Sequence, residues 1–173
     1  MQTPVFDFVR SYADSDPIRM HMPGHKGTGA LGCEALDITE IGGADELFAP
    51  SGILAQSEAN ASALFQCRTL YSAEGSSLCM RAMLRLAMQY AAERGRPAAV
   101  LAARNVHKTY LAAAAVLGFE TLWLPPSESY LTAEITQDVL GKALQSCRVR
   151  PAALWLTSPD YLGNMADIRA RPT

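Results

Sequence analysis

Residues 98–124, AAVLAARNVHKTYLAAAAVLGFETLWL, contain the pattern that decides the fold. Mostly apolar residues fill positions 98–102 and 120–124, and each of these runs predicts a short strand. Between them, residues 107–117 are small and apolar and predict a helix, which Gly118 is well suited to end. A strand, a helix and a second strand in this order predict two parallel strands joined by a helix.

The same alternation continues on both sides of this stretch. Residues 69–73 predict a buried strand, and a strong helix is expected from Ser77 to about Arg94. Downstream, a helix is expected over residues 136–146 and a further strand over residues 152–157. Strands that alternate with helices favour an α/β fold, in which a mostly parallel sheet carries flanking helices.

The N-terminal region follows a different pattern. A short helix is expected from Pro4 and ends before Pro17, and residues 20–52 are too rich in glycine for a long helix or strand. We interpret them as an ordered arm of loops, because long ordered loops usually serve a function. The chain is therefore divided into residues 1–52, a helix and loop arm, and residues 53–173, the α/β domain.

The composition excludes several classes of protein. Hydrophobic residues make up 49% of the 173 residues and charged residues 18%, as in a folded globular chain. A net charge of −2 without a basic block argues against nucleic-acid binding, and no apolar run approaches the length of a membrane span. Four cysteines without a CxxC pair, and the lack of a signal peptide, predict a cytoplasmic protein.

Two turns carry candidate binding residues. Gly75, Ser76 and Ser77 follow one predicted strand and open a helix, where free N–H groups and the helix dipole attract an anion such as phosphate. The alternative is that one of the serines only caps the helix. His107 follows another strand and begins the next helix, where it would stack on a flat ring or transfer a proton. Its alternative role is capping. Both turns are expected at the sheet edge where α/β proteins bind ligands.

Two further segments contain polar residues. His21, His25 and Lys26 lie in the loop arm, but two histidines in a Pro-Gly loop without a third ligand do not predict a metal site. Residues 157–163 form a polar loop after the last predicted strand, which by itself is also explained as a turn.

Taken together, these motifs are more specific than any one of them. The chain resembles the N-terminal part of the major domain of the Orn/Lys/Arg decarboxylases, which are pyridoxal-phosphate enzymes of the aspartate-aminotransferase fold. The resemblance extends from about Pro4 to Ile168. It rests on six segments: His21-Met-Pro-Gly-His-Lys-Gly27, Thr39-Glu-Ile-Gly-Gly-Ala-Asp-Glu-Leu47, Pro50-Ser-Gly-Ile53, Gly75-Ser-Ser77, Arg104-Asn-Val-His-Lys-Thr109 and Thr157-Ser-Pro-Asp-Tyr-Leu-Gly163.

The resemblance implies a role for each turn. Gly75, Ser76 and Ser77 would hold the phosphate of pyridoxal 5′-phosphate, and His107 would stack on its ring as the catalytic-site residue of this chain. The arm with His21 and Lys26 would lie near the active site. The substrate would be lysine, ornithine or arginine, and the full-length protein a homodimer. Two departures from the family pattern, Met80 for asparagine and Val106 for cysteine, are similar in size to the usual residues.

The resemblance also implies that essential residues are missing. The family's Schiff-base lysine lies in a Ser-x-His-Lys motif beyond residue 173, and the acid opposite the pyridine nitrogen is expected soon after Ile168. Lys108 follows a histidine, but its context matches the ring-stacking segment instead. Lys26 lies in the arm, and Lys142 is expected to be solvated on an amphipathic helix. Asp160 and Asp167 precede the strand that would carry the missing acid.

Three hypotheses follow. The first is the front part of a decarboxylase, truncated and inactive without the remainder. The second is a non-catalytic binding or assembly domain that keeps the fold, and the third is a small intact enzyme that uses Lys108. In the family's fold, residues 69–73 pair with strands from later in the chain. We therefore expect a three-stranded parallel core in which residues 69–73 are left out or paired differently.

Overall fold

The computed structural model describes residues 2–125 and 135–166, so the predicted positions of Asp167 and Ile168 lie outside the described residues. The chain divides into two compact units, Met1–Ala73 and Glu74–Thr173. The two units are defined by contacts within the chain. They do not test the predicted domain boundary between residues 52 and 53, which stays a prediction. In the described part of the chain, no helix is long and apolar enough to cross a membrane.

The first unit contains two helices and a long arm of loops. Helix α1 spans Pro4–Asp14, a single 3-10 turn spans Glu34–Leu36, and helix α2 spans Ile53–Phe65. Pro4 stands at the first helical position of α1, where a missing N–H costs nothing. Residues 20–52 are mostly loops, and the 3-10 turn is the one regular element among them. That they act as one arm stays a prediction.

The second unit alternates helices and strands as predicted. Its elements are α3 (Gly75–Glu93), β1 (Ala99–Ala102), α4 (Lys108–Leu117), β2 (Glu120–Trp123), α5 (Gln137–Ser146) and β3 (Ala153–Trp155). The three strands in the described part of this unit are parallel and are arranged in the order β2-β1-β3, with Val100 opposite Thr121 on one side and Ala153 on the other. The predicted three-stranded parallel core is confirmed.

The central strand β1 is buried on both faces. Val100 and Ala102 pack into a cluster with residues of α3 and α4, among them Leu84 and Tyr110. Leu101 on the opposite face packs with residues of α5. A strand that is buried on both faces needs apolar side chains on both, which explains the continuous apolar run in its sequence.

The prediction of a buried strand at residues 69–73 is wrong. The backbone N–H of Thr69 donates to Ser62 Oγ at 2.9 Å, and that of Tyr71 donates to Glu58 Oε1 at 2.8 Å. Side chains of α2 therefore take the place of a neighbouring strand, and Leu70 in this segment is 62% exposed. The segment belongs to the first unit and not to the sheet.

Candidate functional site

The turn before α3 is open to solvent beside Gly75. Gly75 has φ +64°, which favours glycine, and a Cβ at this position would meet nothing within 4 Å. Ser76 and Ser77 lie in the first turn of α3, where backbone N–H groups have no acceptor one turn earlier. Neither serine is the N-cap residue, which is Glu74. The hydroxyl groups are therefore not used as helix caps.

The turn before α4 is formed around His107. The imidazole Nδ1 accepts the backbone N–H of Thr109 at 3.2 Å, so His107 caps the helix as its N-cap residue. The side chain of His107 is nevertheless exposed. Capping through Nδ1 fixes one ring nitrogen and leaves part of the imidazole accessible to a ligand.

The side chain of Thr109, which was not identified as a site residue from the sequence, contacts both turns. The hydroxyl of Thr109 lies 3.2 Å from Ser77 Oγ and 2.9 Å from His107 Nδ1. Thr109 is 9% exposed. The structure thus brings the serine turn and the histidine turn together as predicted, although the residues before the serine turn are not a strand of the sheet.

An ion pair stands next to the serine turn. Arg81 Nη2 donates to the carboxylate of Glu74, the residue directly before Gly75. The Nε atom of Arg81 is buried and has no hydrogen-bond partner in the described part of the chain. The negative charge of Glu74 beside the serine turn is therefore balanced by a guanidinium group.

The loop after β3 is tied to the histidine turn through Thr157. Its hydroxyl donates to the backbone carbonyl of Asn105 at 3.3 Å. The side-chain nitrogen and oxygen of Asn105 are both buried and have no hydrogen-bond partner among the described residues. Neither residue was singled out by its chemistry in the sequence.

Asp160, in the same loop, is used to hold the loop together. Its carboxylate accepts the amide of Asn164 at 3.0 Å and the backbone N–H groups of Asn164 and Leu162, each at 2.9 Å. These bonds, first of all those from Asn164, keep the pKa of Asp160 below its ordinary value. The contacts favour a structural role for this acid.

The polar residues of the arm are engaged within the first unit. His21 Nε2 lies 2.7 Å from the hydroxyl of Tyr12, and Lys26 Nζ donates to the backbone carbonyl of His21 at 2.6 Å. His25 Nε2 lies 3.1 Å from Asp37 Oδ2. The two histidines thus have different protein partners, and the described residues include no group of three potential metal ligands.

Arg19 anchors this arm although nothing in the sequence marked it. It is 9% exposed and donates to the carbonyls of Ala35 at 2.6 Å and Asp37 at 3.3 Å. A Cβ on Gly27, which has φ +84°, would lie 2.6 Å from Arg19 Nε. Glycine is required there both by the backbone conformation and by the close approach of the guanidinium group.

The two lysines of the second unit are both exposed. Lys108 is the first residue of α4, and Lys142 lies on α5. The expectation that Lys142 is solvated is confirmed.

Comparison with known proteins identifies the family. The model of the Orn/Lys/Arg decarboxylase major domain matches residues 3–170, nearly the whole chain. The chain belongs to the Orn/Lys/Arg decarboxylase family. The serine and histidine turns described above both lie within the matched residues, so the site is part of this decarboxylase domain.

Several curated relatives of this decarboxylase domain are arginine decarboxylases. The one from Halalkalibacterium halodurans is 29% identical over 97% of this chain and 36% of the relative. Those from Bacillus subtilis and Bacillus cereus are 26% and 28% identical over 98% and 96% of the chain, which cover 36% and 38% of each relative. The chain therefore spans little more than a third of their length. No solved structure matches it.

Proposed function

We propose that these 173 residues form the N-terminal part of a pyridoxal-phosphate-dependent decarboxylase of lysine, ornithine or arginine. The observation that carries this proposal is the hydrogen-bonded connection from Ser77 to His107 through Thr109. It joins a turn that suits a phosphate with an exposed imidazole that suits a flat ring. A phosphate and a flat ring are the two ends of one cofactor, pyridoxal phosphate. When bound, pyridoxal phosphate supplies an electron sink for the electrons left behind as carbon dioxide departs.

The serine turn fits the phosphate end. The space beside Gly75 is open, and the first turn of α3 offers backbone N–H groups together with two hydroxyls that do not cap the helix. A phosphate there would gain from the positive end of the helix dipole and from charge-assisted hydrogen bonds. In this role, Ser76 and Ser77 bind and orient the cofactor.

His107 fits the ring end. Because Nδ1 is fixed by Thr109, the plane of the imidazole is held, and the exposed ring can lie against an aromatic ligand. A fixed stacking partner limits the rotation of the bound ring. We assign His107 this orienting role at the catalytic site.

We further propose that the 173 residues do not catalyse decarboxylation alone. Such catalysis needs a lysine that bonds to the cofactor, and in the family this lysine belongs to a Ser-x-His-Lys segment outside these residues. Lys108 is exposed in the ring-stacking segment, where it lies on the same helix that His107 caps. We propose a dimeric, cytoplasmic full-length protein with an aspartate-aminotransferase-like large domain. The location is consistent with the free state of all four cysteines.

A chimera tests this function. Residues 1–173 are joined to the corresponding C-terminal part of the Halalkalibacterium halodurans arginine decarboxylase, and release of carbon dioxide from arginine, lysine and ornithine is measured. We expect activity on at least one of the three with pyridoxal phosphate present, and its loss in His107→Ala. A folded chimera that binds the cofactor but releases no carbon dioxide would favour the non-catalytic alternative.

A further inference from the structure

Thr109 is the second residue of α4 and has two polar neighbours from different parts of the second unit. Its hydroxyl lies 3.2 Å from Ser77 Oγ and 2.9 Å from His107 Nδ1, and it is nearly buried, with 9% exposure. Ser77 precedes Thr109 by 32 residues and belongs to a different helix. The contact therefore couples two turns that the chain builds separately.

The direction of each hydrogen bond follows from the chemistry of the groups. A backbone N–H only donates, so the bond from Thr109 N requires His107 Nδ1 to be an unprotonated acceptor. The Thr109 hydroxyl must then also donate to Nδ1, because that nitrogen has no proton to offer. With its proton used, the Thr109 oxygen accepts from the hydroxyl of Ser77. In a neutral imidazole, these bonds are satisfied when the proton is on Nε2.

We propose that Thr109 is a positioning residue that transmits phosphate occupancy at Ser77 to the imidazole of His107, an inference that rests on the function proposed above. A serine hydroxyl has one proton, so Ser77 cannot donate to a phosphate and to Thr109 at once. When Ser77 donates to a phosphate oxygen, the Thr109 hydroxyl turns to donate to Ser77 Oγ. His107 Nδ1 then keeps only the backbone N–H as its donor.

Phosphate binding at Ser77 therefore changes the hydrogen bonds of His107, the residue that we assign to the ring of the ligand. In the free chain, two donors hold His107 Nδ1, and with phosphate bound, one does. The backbone N–H of Thr109 still holds the plane of the imidazole, so His107 stays in place as a stacking partner while one of its two donors is withdrawn. No movement of the backbone is needed, because only the hydroxyl protons of Ser77 and Thr109 change their acceptors.

The free chain tests the first half of this inference. The protein has three histidines, so nitrogen-15 NMR of the imidazoles resolves few signals, and His107→Gln assigns the one of interest. We expect the Nε2–H tautomer in the wild type. In Thr109→Val the ratio of Nδ1–H to Nε2–H should rise by roughly two- to tenfold, as expected for one lost hydrogen bond, and Thr109→Ser should restore it. An unchanged His107 signal in a folded Thr109→Val chain overturns the inference.

Inorganic phosphate tests the second half. In the wild type, phosphate should shift the backbone amide signals of Ser76 and Ser77 and move His107 Nδ1 to higher frequency. In Ser77→Ala the free-state tautomer should stay as in the wild type, while the response of His107 to phosphate disappears. This variant removes one small hydroxyl and serves as the test if Thr109→Val does not fold.

The outcomes separate the two proposals. If the amides of Ser76 and Ser77 respond to phosphate and His107 does not, the coupling through Thr109 is wrong and the phosphate site stands. If neither responds, the phosphate site is wrong, and the coupling is overturned with it.

Discussion

The carboxylate of Asp45 accepts the backbone N–H of Leu54 at 3.0 Å and so closes the loop arm onto the start of α2. The same carboxylate accepts the N–H groups of Ser51 at 3.0 Å and Gly52 at 2.8 Å. These hydrogen bonds, the one from Ser51 first, lower the pKa of Asp45 from 3.8 to about 2. The N-cap residue of α2, Gly52, has no side chain to cap the helix, and an acid from the arm takes that place.

Asp45 makes the stability of the first unit depend on pH. Because its folded-state pKa lies below its unfolded value, its contribution to stability is complete above the ordinary value of 3.8 and is lost as the pH falls toward about 2. Asp45→Asn replaces one accepting oxygen by an amide that donates, so we expect a lower Tm at neutral pH and a smaller loss between pH 4 and 2. Thermal unfolding followed by circular dichroism measures both. The neighbouring Glu46→Gln is the control, and equal pH profiles for Asp45→Asn and the wild type would contradict the prediction.

Removing the hydroxyls of the serine turn should weaken phosphate binding. Each hydrogen bond to a charged group contributes about 1.5–3 kcal/mol, so Ser76→Ala combined with Ser77→Ala should reduce affinity at least about tenfold. Equilibrium titration of the wild type and the double variant with pyridoxal phosphate measures this change. Ser146→Ala, which removes a hydroxyl that donates to the carbonyl of Ala143 on α5, is the matched control. Equal affinity in all three proteins would assign the serines no role in binding.

The Glu74–Arg81 ion pair should also affect how tightly the serine turn binds phosphate. Arg81→Gln leaves the carboxylate of Glu74 uncompensated beside the turn, and we expect phosphate to bind about two- to fivefold more weakly at low salt. Glu74→Gln should strengthen binding, and the double variant should return close to the wild type. Titrations at two salt concentrations measure the effect. A defect in Arg81→Gln that Glu74→Gln does not relieve would indicate that the guanidinium group acts by packing alone.

Lys108 should not bond to the cofactor. It is the exposed first residue of α4, next to the proposed stacking residue His107, so pyridoxal phosphate added to residues 1–173 should give no visible absorbance band that survives desalting. Lys108→Ala and Lys142→Ala should behave alike. A stable band that disappears in Lys108→Ala and persists in Lys142→Ala would revive the hypothesis of a small intact enzyme.

Much of the second unit was predictable because its signals are local. The apolar run at β1 reflects burial on both faces, and Gly118 ends α4 with φ +69°, a conformation that favours glycine. The strand prediction at residues 69–73 failed for a tertiary reason. Thr69 and Tyr71 have strand-forming side chains, but their N–H groups found acceptors on α2.

Only the serine turn and the histidine turn of the candidate site were predictable from the sequence. Gly75-Ser76-Ser77 and His107 mark helix starts after predicted strands, which is a local pattern. Thr109 has no such signal, since a threonine in the first turn of a helix is ordinary and its importance arises from the 3.2 Å approach to Ser77. Arg19 was missed for the same reason, because its partners lie 16 and 18 residues away.

The outer edge of β3 should make the isolated chain prone to aggregate. Among the described strands, β3 pairs only with β1, so the backbone groups of its other side are open to pairing with another chain. Leu154 on this strand is 39% exposed, and a charge at an edge strand opposes such pairing. Leu154→Lys should therefore slow aggregation at micromolar concentration, measured by light scattering. Met83→Lys adds the same charge at a 57% exposed position of α3 and is the control. Equal slowing in both variants would show that net charge and not the strand edge governs association, and no slowing in either would place the aggregating surface elsewhere.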